Sequence, residues 1–244
     1  MPVLLAGKVA LVTGGSAGIG RAVALALAGG GADTMICARG EAALQDTVRA
    51  AAGLGLKIDA RRADVGRWED VDRLFHGVQQ EHGRLDILVH AAGILGPLAD
   101  LVDISPPAWE EVMRINLTGS FFTCRAAARL MKAQHHGCII TISSGVGRRG
   151  RARWGPYAVS KFGVEGLTQT LAQELAQAGI SVFAVNPGPT RTRMRALACP
   201  GEDPSVLKTP EAVAEILISR VIPAARTHSG HSLDLHDLIV NNRD

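Results

Sequence analysis

The sequence predicts an α/β protein in which a doubly wound parallel sheet is covered by helices on both faces. Short runs rich in β-branched residues alternate with longer segments of helical pattern, as βαβ units require. A glycine-rich segment directly follows the first apolar run, where such folds place a tight turn. The 244 residues are enough for one large α/β unit. We therefore expect a single domain over residues 1–244.

Composition argues against several other classes of protein. The net charge is only +3, and no basic stripe with interleaved aromatics indicates a nucleic-acid partner. No apolar run has the length of a membrane span, and the first residues lack the features of a signal peptide, so we expect a cytoplasmic protein. The cysteines are widely spaced, which predicts reduced core thiols and no metal site: Cys37, Cys124, Cys138 and Cys199.

The first strand, predicted over residues 8–13, leads into a glycine-rich turn, and helix-forming residues follow over 21–28. Glycine permits a tight turn and lets a phosphate group approach the backbone N–H groups at the positive end of a helix. The order of strand, glycines and helix predicts a site for a phosphate-bearing cofactor, with a purely structural turn as the alternative. The residues concerned are Gly14, Ser16, Gly18, Ile19 and Gly20.

The only tyrosine of the sequence, Tyr157, lies four residues before Lys161. On a helix this spacing places a phenol beside an ammonium, and Pro156 suits the first turn of that helix. A positive neighbour in a partly desolvated cleft lowers the pKa of a phenol, so we expect the pKa of Tyr157 to lie below its usual range. Ser144 follows the apolar run Cys138–Ile142 and is expected at the carboxyl end of a strand, where open α/β sheets bind ligands. Taken alone, the tyrosine–lysine pair is also typical of an ordinary helix surface.

Together, Thr-Gly-x-x-x-Gly-x-Gly, Ser144 and Tyr157-x-x-x-Lys161 resemble the short-chain dehydrogenase/reductase family over nearly the whole chain. The resemblance implies a Rossmann-like fold of about seven strands and hydride transfer between a nicotinamide and a carbonyl or alcohol carbon. It implies that Tyr157 donates the proton, that Ser144 hydrogen-bonds the developing alkoxide, and that Lys161 holds the nicotinamide ribose and lowers the tyrosine pKa.

Asn116 lies inside a long helical pattern at residues 105–134. It matches the family's asparagine at a local helix distortion, whose amide holds a water that links Lys161 to solvent. The resemblance therefore adds Asn116 to the catalytic set. An asparagine that merely caps or bends a long helix is the alternative.

The second predicted strand, Thr34–Ala38, ends at Arg39. In dinucleotide-binding folds an acidic residue near this position favours NAD, whereas an arginine accommodates the 2′-phosphate of NADP. We therefore expect NADP(H) to be preferred over NAD(H), with an exposed loop arginine as the alternative. The resemblance places Asp64 and Val65 against the adenine ring; a cap for the helix starting near Trp68 is the competing role of Asp64.

The fourth predicted strand, Asp86–His90, leads to Ala92 and Gly93, whose small size allows close approach of the cofactor. The family usually has Asn-Asn-Ala-Gly where this chain has His-Ala-Ala-Gly, so His90 is a departure at a cofactor position. We interpret His90 as a buried histidine with satisfied hydrogen bonds rather than a catalytic one.

The sixth predicted strand, Ile180–Val185, leads to the family's Pro-Gly segment. Residues 193–209 have an irregular pattern and are expected to form a mobile substrate lid. The tail His228–Asp237 replaces the glycine-rich ending of the family; we expect a strand there, whose alternating side chains argue against a metal site. By resemblance, the nicotinamide carboxamide and the pyrophosphate contact Pro187, Gly188, Thr190 and Thr192; Thr190 stands where a branched aliphatic residue is common.

Seven arginines flank the expected mouth of the cleft: Arg148, Arg149, Arg151, Arg153, Arg191, Arg193 and Arg195. A convergent rim would attract phosphopantetheine, coenzyme A or an acidic acyl carrier protein, as in the 3-oxoacyl-[acyl-carrier-protein] reductases that this chain resembles. Solvated loop arginines are the alternative. We expect reduction of a 3-oxoacyl thioester or a related ketone to a secondary alcohol. An NAD(P)-dependent alcohol or sugar dehydrogenase and a non-catalytic NADP(H)-sensing module stay open, although a sensor needs no catalytic tyrosine.

An apolar stripe of Leu167, Leu171 and Leu175 marks the helix that continues from Lys161 to about Ala178. The resemblance implies that this helix and the Asn116 helix form a dimer face. We therefore expect a homo-oligomer, either a dimer or a tetramer, with ordinary packing on the sheet as the alternative.

Overall fold

The structure is a computed structural model that describes residues 5–235. Within these residues seven parallel strands form one sheet, in the order β3-β2-β1-β4-β5-β6-β7. This architecture confirms the doubly wound α/β fold. The strands are β1 (Val9–Thr13), β2 (Asp33–Ala38), β3 (Ile58–Arg62), β4 (Ile87–His90), β5 (Gly137–Ile142), β6 (Ile180–Asn186) and β7 (Ser232–Asp234).

The direction of winding reverses between β1 and β4, which are neighbours in the sheet. The chain first adds β2 and β3 on one side of β1, and then places β4 and the later strands on the other side. Loops that leave the two strands at such a reversal diverge, and they open a crevice at the carboxyl ends of the strands. The fold therefore puts the loops after β1, β4, β5 and β6 around one crevice.

Helices cover both faces of the sheet, so its central strands are buried on both sides. Leu27 and Val213 belong to the hydrophobic core on one face, and Leu74 and Met131 to the core on the other. No helix within residues 5–235 is long and apolar enough to cross a membrane. The helices are α1 (Gly18–Gly29), α2 (Glu41–Gly53), α3 (Trp68–His82), α4 (Pro106–Met113), α5 (Gly119–Gln134), α6 (Gly155–Leu175), α7 (Arg193–Ala198), α8 (Pro210–Ile216) and α9 (Ala225–His228).

The long helix expected over residues 105–134 is α4 and α5 joined by a π-helical segment, Arg114–Thr118. The hydroxyl of Ser120, in the first turn of α5, donates to the carbonyl of Asn116 in this segment at 2.6 Å. A π-helical turn widens the backbone by one residue, and such turns are frequent at functional sites. The distortion that the family resemblance implied therefore lies at Asn116.

The segment 193–209 is more regular than the sequence suggested. Arg193–Ala198 is a short helix, and Pro204–Val206 is a 3₁₀ turn. The hydroxyl of Thr192 accepts from the backbone N–H of Arg195 at 3.1 Å and so caps α7. A threonine directly before a run of good helix formers was the local signal for this element.

The histidine-containing tail forms α9 and then the short strand β7, so the expected strand is present over Ser232–Asp234. The remaining tail residues named in the sequence analysis, His236 and Asp237, lie outside the described residues.

Candidate active site

A cavity of about 690 Å³ occupies the crevice at the carboxyl ends of the strands. Its walls bring together the glycine turn after β1, the ends of β4 and β5, and the segment after β6. The tertiary structure thus gathers into one cleft residues spread over more than 170 positions of the chain. The predicted residues that line it are Gly14, Ser16, Gly18, Ile19, Gly20, Arg39, Asp64, Val65, Ala92, Gly93, Ser144, Tyr157, Lys161, Pro187, Gly188, Thr190 and Thr192.

The glycine turn is packed so closely that side chains would not fit. A Cβ at Gly14 would lie 2.9 Å from the backbone of Ala92, and Gly14 also has a φ of +68°. A Cβ at Gly20 would lie 2.4 Å from the carbonyl oxygen of Gly14. This packing holds the start of α1 against the cavity, where its N–H groups can bind a phosphate. The cradle therefore fits a dinucleotide.

Charged side chains line the end of the cavity beyond β2 and β3. Arg39 lies 3.6 Å from the carboxylate of Glu111, and Arg114 donates to Asp64 at 3.0 Å and to both oxygens of Glu111. The Arg114 guanidinium holds the pKa of Glu111 below its usual range. Sequence reasoning missed Glu111 and Arg114, although their three-residue spacing on a helix is typical of an ion pair.

Asp64 does not cap the helix that follows it. One oxygen of its carboxylate accepts from the backbone N–H of Gly66 at 2.9 Å, and the other accepts from Arg114. The residue before α3 is Arg67, and no side chain caps this helix. The competing interpretation as a helix cap was therefore wrong.

Tyr157 and Lys161 lie in the first half of α6, and Pro156 is in its first turn as expected. They are 8% and 5% exposed, respectively. The Lys161 Nζ donates to the carbonyl oxygen of Ile142 at 2.6 Å and lies 5.7 Å from the centre of the Tyr157 ring. Lys161 thereby connects α6 to the end of β5, next to Ser144.

The expected lowering of the tyrosine pKa does not occur in this structure. Burial raises the pKa of Tyr157 above its usual value, and the hydrogen-bonding contact with Ser144 opposes the rise. Burial also lowers the pKa of Lys161 to about 8, against the charge of Glu165. Desolvation outweighs the neighbouring ammonium because that ammonium points at a carbonyl oxygen rather than at the phenol.

Asn116 is completely buried behind the cavity, and its amide is fully used. Its Oδ1 accepts from the N–H of Ile94 at 2.8 Å, and its Nδ2 donates to the Ile94 carbonyl at 2.8 Å and to Ser160 Oγ at 3.1 Å. A Cβ at Gly93 would lie 3.4 Å from Asn116 Oδ1 and 3.9 Å from Lys161 Nζ. The asparagine, Gly93 and the lysine therefore meet at one point.

His90 packs into the core rather than into the cavity. Its Nδ1 lies 3.0 Å from Thr13 Oγ1 and 2.8 Å from Thr123 Oγ1, whereas its Nε2 has no hydrogen-bond partner among the described residues. Burial, assisted by the charge of Lys161, lowers the pKa of His90 to about 3. The expectation of a fully satisfied histidine thus holds for one ring nitrogen only, because no residue within 5–235 bonds to Nε2.

The segment after β6 is held by the tail. Asn186 Oδ1 accepts from the N–H of Gly188 at 3.0 Å, and Asn186 Nδ2 donates to Asp234 on β7. Arg148, in the loop after Ser144, donates to both oxygens of Asp234 at 2.7 Å. Asp234, which the sequence analysis did not single out for this region, therefore joins the two loops on this side of the cavity.

The seven arginines do not converge into one rim. Arg148 pairs with Asp234, and Arg195 pairs with Glu202 at 2.5 and 2.6 Å. Arg151 and Arg193 line the cavity with Arg195, and Arg151 stacks 5.4 Å from the Trp154 ring. Acidic partners on the tail and on the lid compensate part of the positive charge. The expected attraction of an anionic carrier therefore depends chiefly on Arg151 and Arg193.

Residues 5–235 contain no group of three or more His, Cys, Asp or Glu side chains that could hold a metal ion. All four cysteines are free thiols. Burial raises the pKa of Cys37, Cys124 and Cys138 to about 12, so these three thiols stay protonated and unreactive.

A doubly wound sheet with a phosphate-binding turn and a tyrosine–lysine pair at its crevice defines a class of nucleotide-dependent oxidoreductases. The family model of the short chain dehydrogenases matches residues 8–202. The chain belongs to this family.

Individual relatives agree with this assignment over most of their length. The uncharacterized oxidoreductase YciK of Escherichia coli (strain K12) is 34% identical over 241 residues, which cover 95% of this chain and 92% of YciK. The 3-oxoacyl-[acyl-carrier-protein] reductase FabG of Thermotoga maritima is 36% identical over 217 residues, 89% of this chain and 83% of FabG.

A solved structure is similar in fold along the whole chain. The short chain dehydrogenase from Shigella flexneri 2a str. 301, complexed with NADP, superimposes with a TM-score of 0.89 at 35% identity. The match covers 97% of this chain and 100% of that chain. The protein is thus a short chain dehydrogenase in both sequence and architecture.

Proposed function

We propose that this protein is an NADP(H)-dependent reductase that converts a carbonyl group to a secondary alcohol. The observation that carries the proposal is the meeting of Ser144, Tyr157 and Lys161 in the same cavity as the glycine turn. NADPH supplies a hydride when bound. The protein positions the two reactants and supplies the proton.

Four residues have distinct roles in the proposed reduction. Ser144 hydrogen-bonds the carbonyl oxygen, and the Tyr157 hydroxyl donates its proton to that oxygen as negative charge develops there. Lys161 lies 5.7 Å from the centre of the tyrosine ring, and its positive charge would stabilise the phenolate once the Nζ turns from the Ile142 carbonyl toward the phenol and the nicotinamide ribose. The amide of Asn116 bonds to the Ile94 backbone and to Ser160, so Asn116 would act by holding this backbone in place beside Gly93 rather than by binding a water with its amide hydrogens.

The glycine turn and the segment after β6 would hold the cofactor's phosphates and nicotinamide, and Arg39 would hold its 2′-phosphate. Arg39 lines the cavity directly after β2, near the position where NAD-binding folds carry an acidic residue. The NADP complex of the Shigella flexneri relative supports the same preference over NAD(H). The ion pair with Glu111 would keep the Arg39 guanidinium near the site before the cofactor binds. The 2′-phosphate would then compete with Glu111 for Arg39.

For the substrate we infer a 3-oxoacyl thioester or a related ketone. The cavity that contains Tyr157 also has apolar lining residues, as an acyl chain requires: Ile94, Leu95, Val146, Trp154 and Met194. Arg151 and Arg193 line the same cavity and suit the phosphate groups of a coenzyme A or acyl-carrier thioester. The FabG relative of Thermotoga maritima supports this substrate class.

We also infer a homo-oligomer and a cytoplasmic location. Phe121 on α5 and Phe162 on α6 are 46% and 45% exposed, and Val159 is exposed beside Phe162 on the same helix. Large apolar side chains at this exposure are typical of a surface that a second copy covers.

The four cysteines are all free thiols, which favours a reducing compartment such as the cytoplasm.

The test is NADPH oxidation with acetoacetyl-coenzyme A and with a simple ketone, compared between the wild type and Tyr157→Phe. Removing the proton donor should lower kcat by about 100-fold or more without lowering the melting temperature. Reduction of the thioester alone supports the acyl reductase, and reduction of the simple ketone alone makes it a general carbonyl reductase. Tyr157→Phe with most of its turnover would refute the catalytic assignment, and activity only with alcohols and NAD⁺ would replace it by the oxidative reaction.

A further inference from the structure

Glu165 is a buried carboxylate for which the chemistry proposed above has no use. It lies one helical turn after Lys161 on α6 and is only 5% exposed. Burial of a carboxylate is costly unless hydrogen bonds or an opposite charge compensate it. On α6 the carboxylate of Glu165 lies four residues from the ammonium of Lys161, so the two charges are neighbours on the helix.

Two serine hydroxyls donate hydrogen bonds to one oxygen of the carboxylate. Glu165 Oε1 accepts from Ser143 Oγ at 2.5 Å and from Ser232 Oγ at 2.8 Å. Ser143 directly precedes Ser144 at the end of β5, and Ser232 begins β7. One carboxylate thus joins the helix of Tyr157 and Lys161 to the strand end that carries Ser144, and also to the tail.

Glu165 is also the acidic group whose charge acts on Lys161. Burial lowers the pKa of Lys161, and Glu165 opposes that change. From β4, His90 faces the lysine but is neutral near pH 7. On the loop after Ser144 and on β7, Arg148 and Asp234 pair with each other. Tyr157, on the same helix as Lys161, adds no charge near pH 7 because burial raises the pKa of its phenol.

We propose that Glu165 is a positioning residue that keeps Lys161 charged and aligned with Ser144, and that Ser143 and Ser232 hold its carboxylate in place. The inference rests on the proposed function, in which Lys161 acts as a cation. It gives the histidine-containing tail a role at the site, because Ser232 bonds to Glu165 while Asp234 on the same strand bonds to Arg148 and Asn186.

The test measures the charge of Lys161 directly. The sequence contains five lysines, so a protein labelled with ¹³C at lysine Cε gives few signals, and Lys161→Arg identifies the one that disappears. In Glu165→Gln, which keeps the size and the acceptor oxygen, Lys161 should lose its proton at a pH about one unit lower than in the wild type. The high-pH limb of kcat for NADPH-dependent reduction should move down by the same amount. Glu174→Gln, an exposed glutamate on the same helix, should move neither.

An unchanged Lys161 titration in a folded Glu165→Gln would overturn the proposal. A shifted titration with an unshifted kcat limb would overturn its catalytic part. If Glu165→Gln does not fold, Ser232→Ala carries the test, because it removes one donor to the carboxylate and should shift the titration in the same direction by less; no shift there counts against the proposal. The labelled-lysine measurement needs no turnover, so it stays readable even if Tyr157→Phe refutes the proposed function.

Discussion

Arg148 and Asp234 form a bidentate ion pair, with both N–O distances 2.7 Å, across 86 positions of the sequence. The pair connects the loop after Ser144 to β7, and Asp234 also accepts from Asn186 beside the expected nicotinamide contacts. Both side chains are about one-third exposed. The significance of the pair is therefore its geometry more than its free energy, since partly exposed ion pairs contribute about 0–1 kcal/mol.

The first prediction follows from this pair. Asp234→Ala should raise the KM for NADPH severalfold, because Asn186 and Arg148 both lose an anchor, while the free energy of unfolding falls by about 1 kcal/mol or less. Glu81→Ala is the control, since both oxygens of Glu81 accept from Arg61 and neither residue lines the cavity. Steady-state kinetics and chemical unfolding measure both quantities. Equal effects of the two variants on KM would contradict a positioning role for Asp234.

Cofactor choice should depend on Arg39. Arg39→Ser should weaken NADPH binding by about 10- to 100-fold, the loss expected for hydrogen bonds to a charged group, and leave NADH binding nearly unchanged. The NADPH loss should be smaller at high salt, because salt already screens the interaction. Cofactor fluorescence titration measures both constants. Arg49→Ser, at an exposed position on α2, is the control, and equal losses for NADPH and NADH in Arg39→Ser would disprove 2′-phosphate recognition.

The loop that carries Ser144 should not tolerate a methyl group at Gly147. A Cβ there would lie 2.9 Å from the backbone and side chain of Lys161, whereas a Cβ at Gly150 meets nothing within 4 Å. Gly147→Ala should therefore push Ser144 away from α6 and lower kcat by about 10- to 100-fold, with a stability loss of about 1–3 kcal/mol. Gly150→Ala should behave like the wild type. A normal kcat in Gly147→Ala would mean that the loop adjusts without moving Ser144.

His90 should make stability depend on pH. Its folded-state pKa of about 3 lies below the unfolded value of 6.5, so between these values the unfolded chain binds a proton that the folded chain does not. Stability therefore falls as the pH falls below about 6.5, and this site alone should remove about 2 kcal/mol between pH 7 and pH 5. In His90→Asn, which carries the residue more usual in the family, that part of the loss should disappear. Urea unfolding of both proteins at the two pH values measures this difference, and identical pH dependence would show that folding does not lower the pKa of His90.

The oligomer should depend on the exposed phenylalanines of α5 and α6. Phe162→Glu should shift the protein toward monomers in sedimentation velocity, because it places a charge in the middle of an apolar contact. Leu54→Glu, at a more exposed leucine after α2, should leave the assembly unchanged. A monomeric wild type at micromolar concentration would refute the predicted dimer face.

Local sequence patterns were sufficient for the strands and for most residues at the cavity. The run Cys138–Ile142 and the glycine turn each specify their own backbone, because β-branched residues favour strands and glycine alone fits the close approach at Gly14. The same patterns did not predict the pKa of Tyr157, since burial depends on every element packed around it. They also did not show the ion pairs that compensate Arg148 and Arg195.

The sequence alone therefore specified the parallel α/β architecture and the residue types available for catalysis, because helix and strand periods and short spacings are local properties of the chain. Only the tertiary structure decided which charged and polar side chains become partners. Glu165 bonds to Ser232 across 67 positions and Asp234 to Arg148 across 86, and the side chains of Asn116 and Lys161 both approach Gly93. Electrostatic and hydrogen-bonding partners are selected by distance in space and by exclusion of water, and both exist only after the sheet has brought the ends of β4, β5, β6 and β7 together.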